Sequence, residues 1–374
     1  MMKTILPGQT IGIIGGGQLG RMMALAAKEA GFKVAVLDPG IDSPTGQVAD
    51  VQIIAPYNDL EALEELAEIS DVITYEFENI DVEGLRKLTE IAYVPQGSEL
   101  IRITQNRIYE KLAIADAGVP IADYITASTF QELQEKADQL SFPFVVKTAK
   151  GGYDGKGQQK VSSIEELQLA ESLFDNGDCV AEAFISFSKE ISVIVQRNGS
   201  GDTVILPIGE NIHKDHILHQ TIVPARIDDN TFGKAEVAAK KIAEHLNMVG
   251  TLAVEMFVLE DGDIVVNELA PRPHNSGHYS IEACNISQFH QHIRAVCGWP
   301  LRDAKLWSET VMVNILGEHV APLTTKIMQY PNWSIHLYGK EEAKHKRKMG
   351  HITILTDSID DTLKEIDESG IWPE

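Results

Sequence analysis

Residues 10–20 read TIGIIGGGQLG, and this segment determines how the N-terminal part of the chain folds. A short run of strand-forming residues ends in three glycines, and helical spacing begins directly after them. The same alternation continues, with strands predicted at residues 34–37, 51–54 and 72–74 and helices at residues 21–30 and 59–69. Strands that alternate with helices favour a parallel sheet covered by helices on both faces. We therefore expect a doubly wound α/β domain over residues 1–103.

The remainder of the chain divides into a small mixed domain and a larger, strand-rich one. Residues 104–180 begin with a helix and then combine strands at residues 124–126 and 144–148 with a helix at residues 164–173. Strands dominate from there on, at residues 179–185, 190–196, 203–208, 252–259 and 263–269, with helices near residues 232–246, 287–296 and 360–367. We expect residues 181–374 to form an α+β domain that is rich in β-structure from about residue 300.

Composition limits the classes of function that the chain can have. Its 374 residues include 55 acidic and 32 basic side chains, which gives a net charge of −23. Nucleic acids and acidic membranes bind positive surfaces, so neither is an expected partner. No apolar run approaches the roughly 18 residues of a membrane-spanning helix. The three cysteines lack the paired spacing of zinc or disulfide sites, and a cytoplasmic protein of two or three domains is predicted.

The first glycine cluster, residues 15–20, satisfies the G-x-G-x-x-G pattern between a strand and a helix. Asp38 stands at the end of the next strand, where dinucleotide-binding domains keep the carboxylate that binds a ribose. The glycines let an anion approach backbone N–H groups at a helix N-terminus. An NAD-dependent oxidoreductase is therefore one alternative, although such glycines also occur where they only allow close packing.

A second glycine cluster follows the predicted strand that carries Lys147. Residues 150–158 read KGGYDGKGQ, with four glycines and two lysines. This composition predicts a cationic flap over phosphate groups, and it is not a Walker A loop because no G-K-[ST] closes it. A hairpin turn with solvated lysines is the alternative, but a lysine on the preceding strand favours the phosphate interpretation.

Two glutamates are predicted to face each other across a hairpin. Glu255 lies in one apolar strand and Glu268 in the next, and the Asp261-Gly262 pair between them is typical of a two-residue turn. With that turn, residue 260 pairs with residue 263, and counting five residues outward places Glu255 opposite Glu268. Directly opposed side chains have Cβ atoms about 4.5–5.5 Å apart.

The surroundings of these glutamates indicate a divalent metal. The period of two puts both carboxylates on the face that carries Phe257, Leu259, Ile264 and Val266. Carboxylates on an apolar face repel each other and lose hydration, and a cation relieves both costs. Oxygen ligands favour Mg²⁺. Asn267 joins them only if the strand is distorted there, and a solvent-exposed pair on a two-stranded ribbon is the alternative.

Three other segments carry clustered polar residues. Residues 75–79, YEFEN, follow a strand at the carboxyl edge of the first sheet, where open α/β sheets bind ligands, and a helix-capping loop is the alternative. Residues 272–278, RPHNSGH, suit a substrate-binding loop, since His274 and His278 lack a third ligand for zinc. Residues 344–348, KHKRK, are either a solvated charged turn or a phosphate-binding segment.

Taken in order, these motifs resemble those of the N5-carboxyaminoimidazole ribonucleotide synthetases, a family of ATP-grasp enzymes. The segments GGGQLG, YEFEN, GGYDGKGQ, EAFI, NELAPRPHNSGH and RKMGH occur in one chain, and the resemblance covers essentially all 374 residues. It implies an ATP-grasp fold with an N-terminal Rossmann-like (pre-ATP-grasp) domain, and a homodimer that acts in purine biosynthesis. One departure is Lys156, where many relatives carry an arginine, because lysine keeps the charge but loses bidentate geometry.

The resemblance also implies a reaction and its residues. ATP would phosphorylate bicarbonate, and the carboxyphosphate would carboxylate the amine of aminoimidazole ribonucleotide. Magnesium would be bound by Glu255, Glu268 and Asn267. The nucleotide would be held by Arg107, Lys147, Tyr153, Asp154, Gly155, Lys156, Gly157, Gln158, Glu182, Ala183, Phe184, Ile185, Glu190, His213, Asn267 and Glu268. The ribonucleotide would lie against Gln18, Leu19, Glu76, Asn79, Tyr153, Arg272, Lys340 and Arg347. The residues implied in catalysis are Lys147, Tyr153, Asp154, Lys156 and Arg272.

Other ATP-grasp enzymes are the nearest alternatives. A formate-dependent transformylase or a biotin carboxylase shares the superfamily motifs, but the YEFEN and RKMGH segments favour the synthetases. A nucleotide-binding module without turnover is a further alternative, and the two glutamates argue against it because neither is replaced by a neutral residue. We also expect residues 150–158 to be poorly ordered without ATP, because a flap must open to admit its ligand.

Overall fold

The computed structural model describes residues 3–152 and 157–372, which form three sheets. The N-terminal elements are β1 (Thr10–Ile14), α1 (Gln18–Glu29), β2 (Lys33–Leu37), β3 (Val51–Ile53), α2 (Leu60–Ile69), β4 (Val72–Tyr75) and α3 (Val82–Ile91). Their four strands are parallel in the order β3-β2-β1-β4. Ile13 packs in the core with α1, whereas the next residue, Ile14, packs in the core with α2 and α3. The predicted parallel sheet with helices on both faces is therefore confirmed.

Three helices and a small antiparallel sheet follow. The elements are α4 (Glu99–Thr104), α5 (Arg107–Asp116), β5 (Tyr124–Ala127), α6 (Phe130–Lys136), β6 (Phe144–Thr148), β7 (Gln158–Val161) and β8 (Cys179–Ala183). Asn106 caps α5 by accepting a hydrogen bond from the Ile108 N–H at 2.9 Å. The strand order is β5-β8-β6-β7. Where an α-helix was predicted at residues 164–173, the chain forms 3₁₀ turns over Ile164–Asn176.

The third sheet has nine strands and contains most of the second half of the chain. Its elements are β9 (Lys189–Arg197), β10 (Thr203–Ile205), β11 (Gly209–Lys214), β12 (Ile217–Val223), α7 (Asp229–His245), β13 (Gly250–Val258), β14 (Ile264–Ala270), α8 (Ser280–Ala283), α9 (Gln288–Val296), β15 (Glu309–Leu316), α10 (Gly317–Lys326), β16 (Trp333–Leu337), β17 (Lys348–Thr356) and α11 (Ile359–Glu368). The strand order is β14-β13-β9-β11-β12-β15-β17-β16, and β10 pairs with β9. The C-terminal strands thus extend the sheet that begins with β9.

The hairpin formed by β11 and β12 was not predicted. Its turn residues, Asp215 and His216, have φ angles of 49° and 64°. Two consecutive positive φ values indicate a type I′ turn, which Asn-Gly and Asp-Gly favour far more than Asp-His does. The strands themselves carry buried polar residues such as Glu210 and Asn211, so they lack an apolar pattern.

The N-terminal sheet packs against the third sheet through α9. Phe289 and Ile293 of this helix are buried in the same hydrophobic core as Met23 of α1. The contact is extended by the Trp299 indole, whose N–H donates to the Ile5 carbonyl at 2.7 Å. Burying each large apolar side chain contributes about 1.5–3 kcal/mol. This packing brings the carboxyl edge of the first sheet towards the third sheet, which contains the polar strands β11 and β12.

Candidate active site

Glu255 and Glu268 are paired across β13 and β14, as predicted, but the chain reaches this pairing by a different path. In the connecting turn, the Leu259 N–H donates to the Asp263 carbonyl at 2.8 Å. Three residues therefore lie in the loop, and the predicted two-residue turn is wrong. A β-bulge at Asn267 adds one residue to β14 and restores the predicted pair.

The same bulge changes the face on which Glu268 lies. Ile264 and Val266 point into the main hydrophobic core. The prediction that Glu255 and Glu268 lie on the same face as these two residues is therefore wrong. Leu269 also enters that core, and its neighbour Glu268 therefore points to the opposite face, together with Glu255. The bulge is the distortion that a role of Asn267 as a ligand requires.

Glu255 lies in an environment that disfavours its charge. Burial, followed by repulsion from Glu268, raises the pKa of the Glu255 carboxyl from an ordinary value of 4.5 to about 8. His274 Nε2 lies 3.4 Å from Glu255 Oε1. Burial and the charge of Arg272 lower the pKa of His274 well below its ordinary value, so this imidazole is neutral.

The oxygen donors at this position fit magnesium. Two opposed carboxylates and the neighbouring amide of Asn267 are hard ligands, which Mg²⁺ prefers. Within residues 3–152 and 157–372, no group of three or more His, Cys, Asp or Glu side chains has the geometry of a metal site. His278 is fully buried, and its Nδ1 lies 3.2 Å from Gln288 Nε2.

A second charged cluster surrounds Glu182, a residue of the small sheet. The Glu182 carboxylate is 3.3 Å from Lys147 Nζ and 3.0 Å from Lys111 Nζ. The side chains of Lys111 and Glu182 are only 2% and 8% exposed. Burial acts to raise the pKa of Glu182, but the charges of Lys147 and Lys111 outweigh it and keep that pKa below its ordinary value. Lys147, which is 20% exposed, thus presents a cation beside a compensated carboxylate.

Arg107 binds the backbone that leads into the second glycine cluster. Its guanidinium donates to the carbonyl groups of Thr148 at 3.1 Å, Gly151 at 2.7 Å and Gly152 at 3.3 Å. Gly157 follows at φ +69°, and the Thr148 N–H donates to its carbonyl at 3.0 Å. The predicted ligands Tyr153, Asp154, Gly155 and Lys156 lie outside the described residues.

Helix α5 contributes two buried charged residues that the sequence interpretation missed. Glu110 and Lys111 follow Arg107 at spacings of three and four residues, so all three lie on one face of the helix. The Glu110 carboxylate accepts a hydrogen bond from the Leu269 N–H at 2.7 Å. Burial and the charge of Glu268 raise the pKa of Glu110 to about 8. Charged residues at helical spacing beside a predicted phosphate ligand were the available signal.

The segment after β8 contains the residues expected to contact adenine and ribose. Glu182 and Ala183 end the strand, and Phe184 and Ile185 follow it, with the Phe184 ring 43% exposed. Further along, Glu190 Oε2 lies 2.9 Å from His213 Nδ1. Burial lowers the pKa of His213, but the adjacent carboxylate of Glu190 outweighs it and raises that pKa, which favours an imidazolium.

The first glycine cluster already holds carboxylates of the protein itself. Glu76 accepts hydrogen bonds from the N–H groups of Gly17 and Gly20, the latter at 2.7 Å. Asp38 accepts from the Gly16 N–H at 2.7 Å and from the Tyr57 hydroxyl. A pyrophosphate at this helix N-terminus would have to displace Glu76, and a ribose on Asp38 would compete with these donors. The geometry therefore disfavours the NAD-binding alternative.

Glu76, at the end of β4, lies close to the predicted phosphate ligands. Burial raises the pKa of its carboxyl, partly offset by the two glycine N–H groups. Burial and the charge of Arg347 lower the pKa of Lys340 to about 8, while Glu76 acts in the opposite direction. Lys340 Nζ donates to the Lys348 carbonyl at 2.7 Å, and Arg347 to the Glu342 carbonyl at 3.0 Å. The structure thus brings the basic C-terminal segment to the edge of the first sheet.

Arg272 connects the first and third sheets. Its guanidinium binds both carboxylate oxygens of Glu78, one of them at 3.1 Å. Asn79, the next residue, lines a cavity of about 560 Å³ together with Tyr57, Gln105 and Lys150. Two other predicted substrate ligands begin α1, where the Gln18 side chain is partly exposed and Leu19 is buried in the core. Because its side chain is buried, Leu19 is available to a ligand through its main chain.

Family models match three consecutive parts of the chain. A ribonucleotide synthetase preATP-grasp domain matches residues 8–105, an ATP-grasp domain residues 112–289, and a phosphoribosylaminoimidazole carboxylase C-terminal domain residues 310–365. The N5-carboxyaminoimidazole ribonucleotide synthase of Bacillus subtilis is 52% identical over 364 residues, covering 97% of this chain and 96% of that protein. The chain belongs to the N5-carboxyaminoimidazole ribonucleotide synthase family.

Solved structures of this synthase family have the same fold. One N5-carboxyaminoimidazole ribonucleotide synthetase, in an ADP complex, is 54% identical and superimposes with a TM-score of 0.97 over 100% of this chain and 99% of that one. The Staphylococcus aureus synthetase complexed with ADP is 42% identical, with a TM-score of 0.95 over 98% of both chains. The Aspergillus clavatus synthase, in complex with ADP and 5-aminoimidazole ribonucleotide, is 32% identical with a TM-score of 0.90 over 98% of both chains.

Membership of the synthase family decides between the alternatives left open by the sequence. The ATP-grasp fold and the ligase class are confirmed, and the oxidoreductase interpretation is excluded. None of the helices in the described part of the chain combines the length and apolarity that crossing a membrane requires.

Proposed function

We propose that this chain catalyses the ATP-dependent carboxylation of 5-aminoimidazole ribonucleotide in purine biosynthesis, with bicarbonate as the source of the carboxyl group. The products are N5-carboxyaminoimidazole ribonucleotide, ADP and phosphate. The main support for the reaction class is the pair of opposed carboxylates, Glu255 and Glu268, on a sheet that matches the ATP-grasp domain. The choice of acceptor is supported by relatives of the same length and by the Aspergillus clavatus complex.

The nucleotide is proposed to bind between the small sheet and the third sheet. Lys147 and Arg107 supply positive charge for the phosphates, and Arg107 would exchange backbone carbonyls for phosphate oxygens, which bind a guanidinium more strongly. The residues after β8, Ala183 to Ile185, form the proposed adenine-binding hinge, and Glu190 is proposed to bind the ribose hydroxyls. The ADP complexes of related synthetases support nucleotide binding by this chain.

Magnesium is proposed to bind Glu255 and Glu268, with Asn267 as a third ligand. When bound, the ion neutralises charge on the phosphates during phosphoryl transfer. The protein prepares this site by holding two carboxylates opposite each other, one of them with a pKa of about 8. The charges of His213 and Lys348 act to lower the pKa of Glu255, and the charge of Glu190 acts in the opposite direction.

The ribonucleotide is proposed to lie where the first and third sheets meet. Lys340 and Arg347 provide two cations for its phosphate, and Glu76 and Asn79 provide polar contacts at the carboxyl ends of the first sheet. Arg272 is proposed to act beside the reacting groups, with its orientation fixed by both oxygens of Glu78. Gln18, the main chain of Leu19 and Tyr153 complete the predicted set.

The chemistry depends on positioning and on exclusion of water. A bicarbonate oxygen attacks the γ-phosphorus of ATP, and ADP leaves. The substrate amine then attacks the carboxyl carbon of carboxyphosphate, phosphate leaves, and the amine releases one proton. Because carboxyphosphate is readily hydrolysed, residues 150–158 are proposed to cover it, with Tyr153, Asp154 and Lys156 as contributors. A cytoplasmic location, predicted from the cysteine pattern, and a homodimeric assembly, implied by the family resemblance, belong to the same proposal.

The experiment that tests this function is ADP release from ATP and Mg²⁺, with bicarbonate and 5-aminoimidazole ribonucleotide each present or omitted. The proposal predicts release that depends on both compounds and stoichiometric carboxylation of the ribonucleotide. Release with another amine or acid, and none with this ribonucleotide, would contradict the substrate assignment while leaving the ATP-grasp class intact.

A further inference from the structure

Glu268 lies on a strand whose outer edge pairs with no further strand among the described residues. β14 ends the third sheet, so the N–H groups on its outer side need partners from elsewhere. The bulge at Asn267 further disturbs the ladder at the point where the proposed metal ligands lie. What supports this edge therefore determines how accurately Glu268 faces Glu255.

Helix α5 and the segment after it provide that support on both sides of the bulge. The Val266 N–H donates to the Pro120 carbonyl at 2.9 Å, and Ile121 forms a parallel bridge with Val266. On the other side, the Leu269 N–H donates to the Glu110 carboxylate at 2.7 Å. The Glu110 side chain is buried, with a residue exposure of 4%, so solvent does not replace this contact.

The same face of α5 also reaches the nucleotide-binding elements. Arg107, one turn before Glu110, binds the carbonyl groups at the start of the glycine-rich segment. Lys111, the residue after Glu110, lies 3.0 Å from Glu182 on β8. A single rigid helix thus contacts the proposed metal strand, the proposed phosphate-binding segment and the strand that leads to the proposed adenine hinge.

We propose that Glu110 is a positioning residue for the magnesium ligands: it binds the backbone of Leu269 beside the β14 bulge and holds Glu268 opposite Glu255. The inference rests on the proposed magnesium site. Glu110 acts through Leu269 and does not itself bind the ion. Groups that orient metal ligands typically change metal affinity by about 10–100-fold when they are removed. A glutamine at this position keeps an acceptor oxygen for the Leu269 N–H, whereas aspartate is too short and alanine has no acceptor.

The test measures ADP binding to the full-length protein by calorimetry, once with Mg²⁺ and once with EDTA, so that no turnover is needed. We expect Glu110→Ala and Glu110→Asp to lower the Mg²⁺-dependent gain in ADP affinity by about tenfold or more, with less than about a twofold change in EDTA. Glu110→Gln should restore most of the gain. Glu110→Asp keeps a carboxylate on the helix but withdraws it from the Leu269 N–H, so it provides the result even if the alanine variant does not fold.

Asp71 provides a matched control at the opposite end of the first sheet. Its carboxylate also accepts a hydrogen bond from a strand backbone, the Thr10 N–H at 2.9 Å. Asp71→Ala should lower the thermal midpoint without changing the Mg²⁺-dependent gain. Equal losses of ADP affinity with Mg²⁺ and with EDTA in Glu110→Asp, or a gain unchanged from the native protein, would overturn the positioning role alone. If the ADP affinity of the native protein is the same with Mg²⁺ and with EDTA, both the metal site and the positioning role are overturned.

Discussion

Magnesium binding should depend steeply on pH because one of its proposed ligands carries a proton at neutral pH. Burial and the charge of Glu268 raise the pKa of Glu255 to about 8 in the absence of metal. Mg²⁺ binds the ionised carboxylate, so it must displace this proton. The apparent affinity for Mg²⁺ should therefore fall by about tenfold for each unit of pH below 8 and level off above it.

The same shift has a consequence for the stability of the metal-free protein. The pKa of Glu255 is higher in the folded protein than its ordinary value of 4.5, so the folded state binds the proton more tightly than the unfolded chain does. The free energy of unfolding should therefore be greatest below about pH 4.5 as far as this group is concerned, and its contribution should be lost as the pH rises to about 8. Mg²⁺ should restore stability above that pH.

Calorimetry in two buffers with different ionisation enthalpies measures the protons released. At pH 7 we expect about one proton from Glu255 per Mg²⁺ bound, after subtraction of the protons that Mg²⁺ releases from ADP alone in solution. Glu255→Gln removes this titrating group and should lower the release by about one proton, so that any remaining release comes from Glu110, whose pKa also depends on the charge of Glu268. Glu268→Gln removes the repulsion, so the pH dependence should shift towards acid. An Mg²⁺ affinity that is constant between pH 6 and 9 in the native protein would refute the reasoning.

Two substitutions test the nucleotide and ribonucleotide sites separately. Lys111→Met removes one of two lysines from the buried Glu182, and Lys147 at 3.3 Å still compensates it. Removing a partner from a buried ion pair costs about 3–5 kcal/mol when nothing compensates the remaining charge. Because Lys147 remains, denaturant titration should show a smaller loss in the free energy of unfolding, about 1–3 kcal/mol, and the KM for ATP should rise. An unchanged free energy of unfolding would argue against the ion pair. Arg347→Ala should raise the KM for the ribonucleotide about 10–100-fold through loss of a charged hydrogen bond, and should leave ADP affinity unaltered. Steady-state kinetics would contradict this assignment if only the KM for ATP rose.

The sequence predicted the central glutamate pair correctly because two local deviations cancel. The Asp261-Gly262 turn has one more residue than its pattern suggests, and the bulge at Asn267 compensates for it. Neither deviation has a signature in hydrophobic periodicity. The predicted pairing of the glutamates is therefore correct, whereas the prediction that Ile264 and Val266 share their face is wrong. Residues near a functional site depart from simple patterns because the site needs polar groups and irregular backbone there.

The β11–β12 hairpin and the buried face of α5 were missed for a related reason. Polar side chains such as Glu210 and Asn211 are buried, and the hydrogen bonds and ion pairs that compensate for their burial form only in the tertiary structure. The helical spacing of Arg107, Glu110 and Lys111 marks a charged face, but it does not identify the partner of Glu110, which is a backbone N–H 159 residues away. The parallel N-terminal sheet, in contrast, was predictable, since each of its strands and helices carries its own apolar pattern.

The most direct test of the account follows the oxygen atoms of bicarbonate. If bicarbonate attacks the γ-phosphorus, one of its oxygens remains with phosphate when the amine displaces it from the carboxyl carbon. With ¹⁸O-labelled bicarbonate, mass spectrometry should therefore find a single ¹⁸O in each phosphate released and the remaining label in the carboxylated ribonucleotide. Unlabelled phosphate formed together with a carboxylated product would contradict the carboxyphosphate route that the account proposes.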